Sequence, residues 1–214
     1  GGWRLKPIHR LIMTSAVYRQ TNESDAERRK IDADNRYCWH RPMQRLEAEA
    51  IRDAMLAVSG QLDPHMYGPG TLDPDQRRRS IYFFVKRSKL VPMMMLFDAP
   101  DTLQDLAVRG ETVIAPQSLL FMNNQAVRGY ASAMATRIAS SSPQSTNADE
   151  AAIVLGYKLA LAREPTEREL KTSKAFLAAE RQAYRDEQRA NADKLAWDDF
   201  CQVLFSLNEF IYIR

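Results

Sequence analysis

Cysteine is nearly missing from this chain: 214 residues contain only Cys38 and Cys201. That excludes a small disulfide-framed fold. It leaves two readings of the pair: a bridge formed in an oxidising compartment, or burial as small apolar groups, the commoner state of free cysteine. No apolar run approaches the roughly 20 residues that a membrane-spanning helix needs. Charge of one sign is also lacking. Thirty Lys and Arg stand against 27 Asp and Glu, a net charge of +3, far below the basic excess of a typical nucleic-acid domain. Histidine occurs three times, so ligand sets are scarce. Cys38 and His40 lie two apart, but no second pair follows at zinc spacing. There is no Cys-x-x-Cys-His for covalent haem and no His-Glu-x-x-His. Gly68-Pro69-Gly70 lacks the Gly-Lys-Ser/Thr that closes a phosphate loop, and no Gly-x-Ser-x-Gly is present to form a hydrolase elbow. Cofactor-binding and metal residues are therefore expected to be absent.

The residues that are present suffice for a core. Hydrophobic types make up 45% of the chain, ordinary for a globular protein of one domain or two small ones. Charge is unevenly placed: residues 1–20 carry Arg4, Lys6, Arg10 and Arg19 with no acid, whereas residues 141–214 hold 10 bases and 12 acids. The start, Gly1-Gly2-Trp3, reads as a piece of a longer protein.

Helical spacing dominates. Residues 7–20 start with Pro7 in a first turn and place Ile8, Leu11 and Ile12 on one face. In 43–60, Ala48, Ile51, Met55 and Val58 step by three and four, with Gly60 as the stop. Helices are also expected over 92–97, 116–139, 148–162, 166–190 and 194–209, with Asn124 interrupting the second of these. Thr166 and Glu169 spell a capping box. Between helices, 63–79 and 98–116 are long irregular loops rich in turn residues. Residues 79–86, with Ile81-Tyr82-Phe83-Phe84-Val85, read as a short extended segment buried on both faces. The fold class is all-α: an irregular multi-helix domain over 1–140 with two long loops and at most one short strand or hairpin. A small carboxy-terminal helical lobe over 148–214 packs on it or continues the same domain.

Seven blocks, taken together, carry a resemblance. They are Trp3 to Ser15 with Tyr18-Arg19-Gln20; Arg45 to Leu56; Arg79-Ser80-Ile81-Tyr82; Phe97-Asp98-Ala99-Pro100-Asp101; Ala115 to Leu120; Leu161 to Thr166; and Ser206 to Phe210. In order and content they resemble the planctomycete-type carboxy-terminal domain of unknown function 1553, over nearly the whole chain. The resemblance implies the end of a larger exported or periplasmic protein that also contains a cytochrome-c-like module, so any haem would belong to that separate module. It brings no catalytic residues. The sequence departs from the family after Asp101, where Leu103 to Arg109 replaces the expected Cys or Pro with paired arginines.

The densest charged constellation is Arg45, Glu47, Glu49, Arg52 and Asp53. Glu49 and Asp53 lie four apart on one helix face and repel unless a cation intervenes; Arg78, Arg79 or Arg109 can supply one. Two readings follow. In the first, an ion-pair lattice holds the long loops on the helix, and the domain is a non-catalytic interaction or structural module. Its partners would be other domains of the parent chain, a redox partner or an acidic polysaccharide. In the second, Glu47, Glu49, Asp53, Asp98 and Asp101 supply the acid and base of a polysaccharide-acting hydrolase, with Arg45, Arg52, Arg79 and Arg109 binding anionic groups. The mixture of Arg77-Arg78-Arg79 with Tyr82, Phe83 and Phe84 also occurs in single-strand nucleic-acid binders, but successive apolar residues favour burial. Met93-Met94-Met95 reads as core filling or as an adaptable contact surface. His9 reads as a helix residue donating a hydrogen bond rather than as a haem ligand. Asn124 and Asn208 are expected to cap or cross-link backbone.

Overall fold

The computed structural model describes residues 2–86, 89, 91–100, 109–141 and 147–213. Among these residues the chain is mostly helical, with one two-stranded antiparallel pair. None of the described helices is long and apolar enough to cross a membrane. It divides into two units, Gly1–Arg45 with Tyr212–Arg214, and Leu46–Ile211.

The first unit contains α1 (Leu5–Thr14), α2 (Ala26–Ile31), β1 (Gln44–Arg45) and β2 (Tyr212–Ile213). Gln44 pairs with Ile213 and Arg45 with Tyr212. The first helix ends earlier than its periodicity suggested, because the Ser15 hydroxyl donates to Ile12 O at 2.7 Å and accepts from Tyr18 N–H, turning the chain. Asp25 caps α2 by accepting from Glu27 and Arg28 N–H. Polar groups organise this unit. The buried Asp32 carboxylate accepts from Arg36 and Tyr37 N–H at 2.9 and 2.8 Å, and its carbonyl accepts from the Trp39 indole. Leu5, Ile8, Leu11 and Ile12 remain exposed on α1, and His9 is exposed beside them.

The second unit holds α3 (Ala48–Ser59), a 3₁₀ turn (Ser80–Tyr82), α4 (Pro92–Leu96), α5 (Ala115–Asn123), α6 (Gln125–Ser141), α7 (Ala148–Leu161), α8 (Glu167–Asp186), α9 (Ala192–Ser206) and α10 (Asn208–Ile211). One core runs through it. Ile51 and Met55 of α3, Met134 and Ile138 of α6, Ile153 of α7, Leu177 of α8 and Phe200, Leu204 and Phe205 of α9 are all essentially buried. Helices on both sides of residues 142–146 thus share the same interior. Gly156 allows close packing of α7 on α9, since a Cβ there would lie 3.2 Å from the Phe200 ring.

Local signals set the helix ends. Gly60 takes φ 77° as the left-handed terminator of α3. Arg137 of α6 donates to Ala57 O and Val58 O at 3.0 and 2.7 Å, satisfying last-turn carbonyls of α3. Asn124 splits the 116–139 periodicity into two helices: its backbone is extended, and its side-chain oxygen accepts from Ala126 and Val127 N–H. The capping box forms as expected, with Glu169 accepting from Thr166 N–H at 2.7 Å and Thr166 Oγ1 accepting from Glu169 N–H at 3.3 Å. Asn208 is exposed at the start of α10.

The expectation for residues 79–86 is corrected. They form the 3₁₀ turn and two isolated bridges, Phe83 to Thr71 and Lys86 to Lys89, with Ile81 and Val85 73% and 68% exposed. A run apolar at every position fits a strand only when both faces are covered by other layers, and among the described residues no such sheet surrounds this one. Cys38 is exposed and Cys201 buried, and both thiols are free.

Candidate functional site

The site is built on the amino-terminal half of α3. The 3.6-residue repeat turns Ile51 and Met55 into the core and leaves Glu49, Ala50 and Asp53 on the opposite side. This side forms one wall of a cleft of about 490 Å³ within the second unit, inside the roughly 300–1,000 Å³ range of small-molecule sites. Glu47, Arg79, Lys89 and Arg109 also line it. Its apolar lining is Ile81, Phe83, Phe84 and Val85, with Val91, Met94, Met95, Ala99 and Pro100.

The long 63–79 loop is held by arginines that donate mainly to backbone carbonyls. Arg52 is 2% exposed. Its guanidinium donates to Arg78 O at 3.1 Å, to Ser80 Oγ at 3.2 Å and to Gln76 O, and lies over the Phe83 ring at 4.7 Å. Burial pushes it below its ordinary value, with Tyr130 and Asp53 opposing. Arg78 covers the Tyr82 ring at 3.5 Å and donates to His65 O, Pro69 O and Tyr67 O. Thr71 joins the loop to the apolar wall, donating from N–H to Tyr82 O and accepting from Phe84 N–H. Gly70 is needed at that crossing, because a Cβ would meet Tyr82 O at 3.0 Å and the Phe84 ring at 3.3 Å.

The predicted acids come together only in part. Glu47, Glu49 and Asp53 all line the cleft. Arg109 donates to both oxygens of Glu49, at 2.8 and 3.0 Å, and lies 3.3 Å from Glu47. This hydrogen bond holds the Glu49 carboxyl below its usual range. Asp53 accepts from Ser80 N–H and Ser80 Oγ, both at 2.7 Å, with Arg79 Nε at 3.5 Å and Arg52 at 3.8 Å. Asp98 does not join them. It sits at φ 59°, and its carboxylate accepts from Thr112 N–H and Oγ1 at 2.8 Å, closing the second loop on itself. Gln117 finishes that closure by donating to Leu96 O and Thr112 O. Asp101 and residues 103–108 lie outside the described residues.

Of the predicted anion binders, Arg79 and Arg109 line the cleft. Arg52 lies behind the loop, committed to its carbonyls. Arg45 is buried on β1 of the first unit. The residues missed as site members are Ile81, Phe84, Val85 and Lys89. Their signal was an apolar run followed closely by Lys86, Arg87 and Lys89, in a sequence whose spacing is otherwise largely helical. The methionine run divides, Met94 facing the core and Met95 remaining 39% exposed at the cleft. Among the described residues no group of three or more His, Cys, Asp or Glu is placed to hold a metal ion. His40 instead approaches Arg41 O through Nδ1 at 3.2 Å.

The chain matches the family described as PSD1: Protein of unknown function (DUF1553), over residues 1–177. No curated protein and no solved structure matches it.

Proposed function

The chain belongs to the PSD1 family of proteins of unknown function (DUF1553), and we propose that it is a non-catalytic recognition module whose α3 cleft binds a partner without transforming it. One observation carries this reading: the described acids at the cleft are engaged by arginine or serine donors, while most of the remaining lining is apolar, with Ile81, Phe84 and Val85 exposed. A general acid needs a raised pKa and a general base needs a free lone pair near the substrate. Glu49, held down by a two-pronged arginine bond, suits neither role. Asp53 already accepts two short bonds from Ser80. Three of the blocks on which the family resemblance rests also supply this cleft: Glu47 to Asp53, Arg79 to Ile81, and Ala99-Pro100.

The same resemblance supports a setting at the carboxy end of a larger exported or periplasmic protein with a cytochrome-c-like module. Its partners are then the neighbouring domains or a redox protein. A second reading, a polysaccharide hydrolase, draws on Glu47, Glu49 and Asp53 lining one cleft with Arg79 and Arg109.

Incubating the chain with uronic and sulfated polysaccharides and following new reducing ends separates the two. Recognition predicts no turnover at any pH from about 4 to 8, a window that spans the ordinary carboxyl and imidazole ranges. Turnover abolished by Asp53→Asn in a folded variant would establish the hydrolase.

A further inference from the structure

We infer that the α3 cleft takes an amphiphilic anion, an apolar body ending in a carboxylate, rather than a polar sugar or a cation. This deepens the recognition reading and rests on it. Most of the acids here are already spoken for. Glu49 is held by Arg109 through two bonds, and Asp53 by two bonds from Ser80, with Arg52 3.8 Å away. Those acids have little capacity left to attract a cation.

The cations on the other side are less committed. Arg79 touches Asp53 through Nε at 3.5 Å, and its side chain is 61% exposed. Lys89 forms no ion pair with any described carboxylate and is exposed. Among the described residues from Ser80 to Met95, Lys89 is the only charged one lining the cleft. Between the two cations lie Ile81, Phe84 and Val85, each more than half exposed. In water such a surface is unfavourable in proportion to its apolar area. A ligand that covers it with hydrocarbon and places a carboxylate on Arg79 or Lys89 gains from both terms. A sugar, having little apolar area, would leave the wall wet.

The probe is dodecanoate below its aggregation threshold, titrated into the chain by calorimetry beside dodecanol, a dodecyl ammonium ion and a uronic-acid oligomer. The expected order places dodecanoate at least tenfold tighter than the other three, with affinity falling as salt rises. Arg79→Gln with Lys89→Gln should weaken dodecanoate at least tenfold and leave dodecanol unchanged. Ile81→Asp, at an exposed position, should weaken both. Because α1 also exposes an apolar stripe, Ile8→Asp with Leu11→Asp is the control and should change nothing. Equal affinity for dodecanol, preference for the ammonium ion or the uronic oligomer, or loss of binding in the α1 control alone would each overturn the inference. So would no binding at all. None of these outcomes touches the absence of turnover, which tests the recognition reading separately.

Discussion

Arg52 does not itself line the cleft, yet its removal should do most to it, because it supports the lining residues Asp53, Ser80 and Phe83. It is 2% exposed, and its fork reaches Arg78 O, Gln76 O and Ser80 Oγ across one loop. Each hydrogen bond to a charged donor contributes about 1.5–3 kcal/mol, and leaving a buried acceptor empty costs about 1–3 kcal/mol. Relief of the guanidinium's own burial offsets part of this. For Arg52→Ala the net loss is about 3–5 kcal/mol, a large share of the roughly 5–15 kcal/mol that stabilises a typical domain. Arg52→Met keeps most of the packing and should lose about 2–3 kcal/mol, because the two carbonyls still go unpaired. Arg52→Lys keeps the charge but not the fork, and should also fall by about 2 kcal/mol. Urea titration followed by circular dichroism measures the loss. Limited trypsin digestion locates it: cleavage after Arg77 and Arg79 should accelerate before global unfolding does. If Arg52→Ala stays within the about 0.5 kcal/mol of a surface substitution and the loop is cut no faster, the lattice reasoning is wrong.

Other consequences concern the rest of the chain. Arg163 donates to both oxygens of Glu169 and of Glu209, and chiefly through this bond Glu169 is held at about 2 against 4.5 for the free carboxyl. Its folded value is depressed, so its contribution is complete above pH 4.5 and is lost as pH falls towards 2. The full linkage of about 3 kcal/mol shrinks to about 1–2 kcal/mol for a side chain 31% exposed; urea midpoints from about pH 7 to pH 3 should show the decline, and Arg163→Gln should flatten it. The buried side-chain nitrogen and oxygen of Gln76 find no hydrogen-bond partner among the described residues, so Gln76→Met should stabilise by about 1 kcal/mol, and a lower denaturation midpoint would contradict this. Burial pushes the Cys201 thiol up, whereas Cys38 is exposed. A disulfide-exchange reagent should therefore label Cys38 at once and Cys201 only on unfolding, and prompt labelling of both would refute that difference.

Local chemistry made much of this molecule readable in advance. Gly60, Asn124 and the Thr166–Glu169 box act on neighbours within a few residues, so their effects need no knowledge of the remaining fold. Helical periodicity likewise identified Ile51 and Met55 as interior, because a 3.6-residue repeat assigns faces whatever lies opposite. The acids of α3 were recognisable as a group for the same reason.

Tertiary structure alone decided what those acids meet and what faces them. Arg109 reaches Glu49 across 60 residues of chain, and Arg52 serves loop carbonyls rather than a ligand. β1 pairs with β2 from the opposite end of the sequence. Such choices depend on how long loops close, and every arginine in the chain offers the same donors until that closure selects one. The exposure of Ile81, Phe84 and Val85 belongs here too: the sequence marks them as apolar, but whether an apolar run is covered depends on the layers around it.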